Sequence, residues 1–158
     1  MEKLSDARIW IWGMLILNII YFMFFCLQLV MVGNEPAGKV IGWQLLFTFV
    51  VWEVTRLAVR ISRFMLPGLQ RIHVRLLCLA AILLALAILL GSWHVWMERW
   101  LGFWQSQEIN IFSYLHSIGI TLFFCLLIAG VYEALYYLEQ WKKSVKEAEE
   151  QEKRNLQS

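Results

Sequence analysis

Four long stretches almost free of charge divide the chain: residues 9–33, 40–52, 76–97 and 109–132. A helix crossing the hydrocarbon core of a bilayer needs about 20 mainly apolar residues, and the first, third and fourth stretches reach that length unaided. The second is interrupted by Glu53 and Arg56. Charged groups near a helix end reach the headgroups along their aliphatic stems, so a span over residues 40–60 survives if its charged end lies at the interface. The expected class is an all-α membrane protein with four transmembrane helices, near 9–32, 40–60, 75–97 and 109–137. Composition agrees, since 60% of the residues are hydrophobic and 16% charged, a balance foreign to soluble domains. The first stretch is too long for a cleaved signal peptide and is followed by no small-residue cleavage site.

Orientation follows from Lys and Arg, which are retained on the cytoplasmic side. They gather at the start (Lys3, Arg8), in the second connection (Arg56, Arg60, Arg63, Arg71, Arg75) and in the tail (Lys142, Lys143, Lys146, Lys153, Arg154), while the other two connections hold Lys39 and Arg99. Both termini are therefore expected in the cytoplasm, with Arg60, Arg63, Arg71, Arg75, Lys142 and Lys143 as anchors at that surface. An arginine cluster beside a membrane helix has anionic lipid as its nearest partner, not nucleic acid. The outward connections, GNEPAGK and ERWLGFWQSQE, leave no room for a folded extracellular sensing domain. A signal must then be read within the membrane, at its outer surface or from a partner protein.

The last 28 residues, VYEALYYLEQWKKSVKEAEEQEKRNLQS, hold no Pro or Gly, and helix formers dominate. One helix is expected to run out of the membrane here, with residues 1–137 forming the input domain and 138–158 a cytoplasmic helical linker. Ala134, Leu138, Trp141, Val145 and Ala148 fall on one stripe, similar to a coiled-coil seam. The seam lapses at Glu152 and Asn155.

Polar groups inside a membrane are costly and so carry information. Glu53, Arg56, Arg60 and Arg63 share one side of the second helix by their spacing. Tyr132 and Glu133 sit at comparable depth in the fourth. An interhelical Arg56–Glu133 pair or an intrahelical Glu53–Arg56 pair would neutralise these charges. Glu53, Arg56, Tyr132 and Glu133 are thus candidates for coupling the second helix to the exit helix, against the plainer role of packing and anchoring. Asn18, Ser113 and Thr121 are expected to hydrogen-bond between helices. Trp93, Trp96, Trp100 and Trp104, three and four apart, read as an outer aromatic belt, or as one face of a helix along the surface that offers a platform to an apolar ligand or cell-envelope intermediate.

His94 and His116 could face each other as haem or metal ligands, but neither lies in a spaced ligand motif. Cys26, Cys78 and Cys125 form no Cys-x-x-Cys and read as small buried hydrophobes. Pro67-Gly68 is a turn rather than a phosphate-binding loop. No metal, no cofactor and no enzymatic activity are expected within these 158 residues.

Two segments carry a resemblance. YEALYYLEQWKKSVKEAEEQEKRNLQS looks like the join between the last membrane helix and the kinase core in LytS/YehU-type bacterial sensor histidine kinases. WEVTRLAVRISRFMLPGLQRIHVR, residues 52–75, is similar to the second-helix Trp-Glu-x-x-Arg and following Pro-Gly turn of the same kinases. The two lie in the family's order and cover roughly a third of the chain. The family's phosphoacceptor segment, Asn-Pro-His leading into Phe-Leu-Phe-Asn, is not among these residues. The resemblance implies a multi-pass sensor module of the bacterial cytoplasmic membrane, homodimeric, whose kinase core autophosphorylates on histidine and passes the phosphoryl group to a response regulator. The alternative is a stand-alone membrane adaptor whose tail pairs with another protein's helix.

Overall fold

The computed structural model describes residues 2–32, 37–67, 72–103 and 110–158, with side chains placed from residue 7 to 23, 38 to 67, 72 to 103 and 110 to 158. The described residues form four α-helices, α1 (Glu2–Val32), α2 (Ala37–Met65), α3 (Ile72–Trp100) and α4 (Ile111–Gln157), and no strand. Among them α3 and α4 are long and apolar enough to cross a membrane. α1 starts earlier than hydropathy alone predicts, α2 and α3 extend past their expected bounds at both ends, and α4 starts two residues late and continues through the expected linker. Apolar content marks where a helix would be buried, whereas backbone hydrogen bonding continues until a cap or a breaker stops it.

The stops are visible in the chemistry. α3 closes on Gly102, whose φ of 77° is one that side-chain-bearing residues rarely adopt. The Phe103 amide then donates to the Glu98 carbonyl and the Gly102 amide to the Arg99 carbonyl, the paired bonds of a Schellman motif. Lys39 clasps this turn from the start of α2, donating to the Leu101 carbonyl at 2.6 Å with its ammonium 5.1 Å from the Phe103 ring centroid. α4 begins at Asn110, whose side chain accepts from the Ser113 amide at 3.2 Å. No break follows: α4 runs across positions 137 and 138 and onward for 47 residues in all, about 70 Å.

Successive helices run antiparallel, because the start of α2 meets the end of α3 at Lys39 and Leu101, and the end of α3 meets the start of α4 at Gly91 and Ser117. The contact between α3 and α4 is the most extensive, and α1 adheres mainly to α2. α3 buries Arg75, Leu79, Leu83, Ala87 and Gly91, a row four residues apart on one helical face. At the row's narrow end a Cβ on Gly91 would lie 2.7 Å from the Ile118 Cα, so the two backbones touch there. Against α1, the ring of Trp52 fills the space a Cβ on Gly13 would take. The core between the helices is Leu17, Phe47, Val51, Trp52, Val59, Leu83, Phe124 and Ile128 with their neighbours.

Large apolar side chains also point outward from every helix, among them Ile16 and Ile19, Leu45 and Leu46, Leu77 and Leu89, and Phe123 and Leu126. An apolar exterior on all four elements far exceeds the patches that monomeric soluble proteins carry.

Several expected contacts resolve differently. Asn18 and Thr121 donate to carbonyls of their own helices, Met14 and Ser117, and Ser113 belongs to the α4 cap. Their spacing from an acceptor one turn back makes the local bond the shorter route. Among the described residues, hydroxyl groups that do donate between helices are Thr55, to the Cys125 sulfur at 3.3 Å, and Ser117, to the Gly91 carbonyl at 3.0 Å. Cys125 is buried as expected, but Cys78 is exposed, since it lies one residue off the buried row of α3. The side chain of Cys26 lies outside the described residues.

Candidate functional site

Where α4 leaves the bundle, one carboxylate holds three helices. Glu133 is 5% exposed, Arg75 of α3 is 0% exposed, and Arg63 of α2 reaches the same carboxylate. Arg63 Nε donates to Glu133 Oε1 at 3.1 Å and Arg75 Nη2 to Oε2 at 2.6 Å, so each oxygen has its own guanidinium. Arg63 Nη2 also donates to the Tyr132 carbonyl at 2.6 Å, and Arg75 Nη2 to the Tyr137 hydroxyl.

Elementary electrostatics explains the assembly. Arg63 lies in the last turn of α2, where the helix dipole favours a cation. Arg75 lies in the first turn of α3, where the dipole opposes one. The Glu133 carboxylate corrects this by placing negative charge beside that N-terminus. Two guanidiniums against one carboxylate leave a surplus positive charge, and the α4 tyrosines face it: the Tyr136 ring centroid is 4.4 Å from Arg63 and 5.0 Å from Arg75, and that of Tyr137 is 5.3 Å from Arg75. Such cation–π contacts contribute about 0.5–2 kcal/mol each. Removing one partner of a buried ion pair costs about 3–5 kcal/mol, because a charge is then left uncompensated. Glu133 is therefore the point at which α4 is held against α2 and α3.

The expected Arg56–Glu133 pair is not made. Arg56 faces Glu53 at 3.5 Å on its own helix, the alternative pairing, and both side chains are partly exposed. Glu53 further accepts from Trp10 Nε1 of α1 at 2.7 Å. The four candidates Glu53, Arg56, Tyr132 and Glu133 thus divide between two sites. Glu53, with Arg56 beside it, ties α2 to α1, while Glu133, with the backbone of Tyr132, ties α4 to α2 and α3. The Tyr132 ring lies edge-on to Trp52, 6.0 Å away, which links the two neighbourhoods.

Among the expected surface anchors, Arg75 is wholly buried and Arg63 is engaged by Glu133, so neither stands free at a surface. Counting positive charge locates an arginine along the membrane normal but not around the helix axis, and the axis decides here. Arg60 is exposed, as are Lys142 and Lys143; Arg71 lies outside the described residues. Arg75 could have been recognised from its place on the row with Leu79, Leu83, Ala87 and Gly91. For Tyr137 and Trp10 the sequence offers no comparable signal.

Beyond this site, α4 continues as an exposed helix. Leu138, Trp141 and Val145 are 45%, 65% and 40% exposed, and Ala134 and Ala148 are also exposed. At the opposite end, Trp93 packs against Trp43 with ring centroids 5.4 Å apart, while Trp96 and Trp100 project outward. All three continue α3 rather than forming a separate surface helix, and Trp104 lies outside the described residues. His94 is buried against Phe47 and Trp43, whereas His116 is exposed, so the two do not form a ligand pair. No family model, curated protein or solved structure matches the chain.

Proposed function

We propose that this chain is the membrane input module of a two-component sensor histidine kinase of the kind its sequence resembles. All four helices span the bacterial cytoplasmic membrane, both termini face the cytoplasm, and α4 carries the signal toward a kinase core. The observation that carries the reading is Glu133 held between Arg63 and Arg75 at the root of an unbroken 47-residue helix. A rearrangement of α2 against α3 parts the two arginines, and α4 must answer by turning, tilting or shifting. Only a stimulus that binds the two arrangements with different affinity can drive this.

Four spans are supported by the apolar exteriors of α1 and α2 as well as α3 and α4. With that topology the arginine site lies at the cytoplasmic boundary, and the exposed Leu138–Trp141–Val145 stripe is free to pair in a homodimer. No catalytic step falls to these residues; phosphoryl transfer to a response regulator belongs to the kinase core. The test is the reading frame beyond the Ser158 codon. Continuation into a phosphoacceptor histidine segment and an ATP-binding domain is the expected result. A stop codon there would overturn the kinase reading in favour of a membrane adaptor pairing through α4.

A further inference from the structure

The end of the bundle remote from Glu133 holds a second buried polar group. His94 and Glu98, one turn apart on α3, are 4% and 6% exposed, with His94 Nε2 3.5 Å from Glu98 Oε1. On its other side, His94 Nδ1 lies 3.5 Å from Ser117 Oγ, and that hydroxyl donates to the Gly91 carbonyl at 3.0 Å. Phe47 and Trp43 of α2 cover the imidazole, with ring centroids 4.2 and 6.0 Å away. Water is thus excluded from a ring that has one nitrogen toward a carboxylate and the other toward the α3–α4 contact.

We propose that His94 and Glu98 form a buried proton-binding site that sets the closeness of α3 and α4 according to the acidity of the aqueous phase at that end. The proposal rests on the membrane-input reading and supplies its stimulus. The device is the single Ser117 proton. With one extra proton on the pair, either as imidazolium beside carboxylate or as neutral imidazole beside carboxylic acid, Nδ1 carries a hydrogen and donates to Ser117 Oγ. The Ser117 hydroxyl is then committed to the Gly91 carbonyl, across the contact. Without that proton the remaining ring hydrogen sits on Nε2, facing Glu98, and Nδ1 becomes an acceptor that takes the Ser117 hydrogen. The Gly91 carbonyl loses its partner where α3 and α4 touch. Acid therefore tightens the contact and base loosens it.

Among the described residues, few groups bear on the ring. From α1, Tyr21 lies within electrostatic reach of Glu98 and beside Gln44. α2 presents no charge among its described residues nearer than Lys39, which is engaged by the Leu101 carbonyl and Phe103. On α3 the adjacent Arg99 is exposed, and on α4 His116 is exposed, so Glu98 is the charged partner of His94. Because the two interact at contact distance, they titrate as a pair rather than singly.

Histidine-selective ¹⁵N NMR of the whole chain in lipid nanodiscs, titrated with acid, reads the site directly. The chain has three histidines, and the His94 signal is the one missing from a His94→Gln variant. The expected result is a His94 midpoint separated from those of His73 and His116, which moves by more than about one pH unit, a tenfold change in proton affinity, in Glu98→Gln while the other two stay in place. A His94 midpoint that coincides with the other two would overturn the proposal on the wild-type chain alone, should Glu98→Gln fail to fold. A midpoint unmoved in a folded Glu98→Gln would overturn it equally. The titration needs no kinase output, so its failure counts against the proton site and not against the membrane-input reading.

Discussion

At the scale of single residues, the weight falls on Glu133. Glu133→Gln keeps the shape of the side chain but leaves Arg63 and Arg75 without a countercharge, and the expected loss of stability is about 3–5 kcal/mol. Denaturant titration in detergent, followed by helical circular dichroism, measures it. Arg56→Gln is the comparison: its pair with Glu53 is partly exposed, such pairs contribute about 0–1 kcal/mol, and a smaller shift than that of Glu133→Gln is expected. The sequence brought both residues forward and left Arg56 two partners, Glu133 across helices or Glu53 on its own; the structure makes the second pair. Hydropathy brought Glu133 and Tyr132 forward but set Arg56 level with Glu133, whereas Glu133 meets Arg63, two turns further along the same side of α2. Which arginine meets the carboxylate was not legible, because Arg63 and Arg75 carry the same positive-inside signal as arginines that only anchor.

At the scale of elements, α3 against α4 governs how closely the bundle can pack. Gly91→Ala would bring its Cβ to 2.7 Å from the Ile118 Cα and 2.9 Å from the Ile118 nitrogen. Both are backbone atoms, so the helices must part, at about 1–3 kcal/mol by analogy with overpacked cores. Gly119→Ala meets nothing within 4 Å and should stabilise α4 by up to about 1 kcal/mol through helix propensity. Opposite shifts in thermal unfolding of the two variants are the expected outcome. The existence of four helices was readable from four apolar stretches. Their ends were not, since the Gly102 turn and the Asn110 cap act through backbone geometry that no hydropathy pattern encodes. The continuity of α4 was readable, because nothing after Gly130 can break a helix.

At the scale of the whole molecule, the proposed role is transmission through a membrane. In a chain whose three cysteines are replaced by alanine, single cysteines at Lys3 and Lys153 should react with a membrane-impermeant maleimide only from the cytoplasmic side. One at Asn34 should react only from the opposite side. The bundle then joins two polar sites at its two ends, His94 with Glu98 and Glu133 with its arginines, through the shared lengths of α3 and α4. The measurement that tests the central claim most directly is autophosphorylation of a chain in which α4 continues in register into a histidine kinase core. Wild type, Glu133→Gln and Arg56→Gln are compared at equal membrane abundance. The account predicts that Glu133→Gln changes basal phosphorylation by about fivefold or more, the range of ordinary allosteric coupling, while Arg56→Gln leaves it close to wild type. Equal phosphorylation of wild type and Glu133→Gln, with and without stimulus, would contradict it.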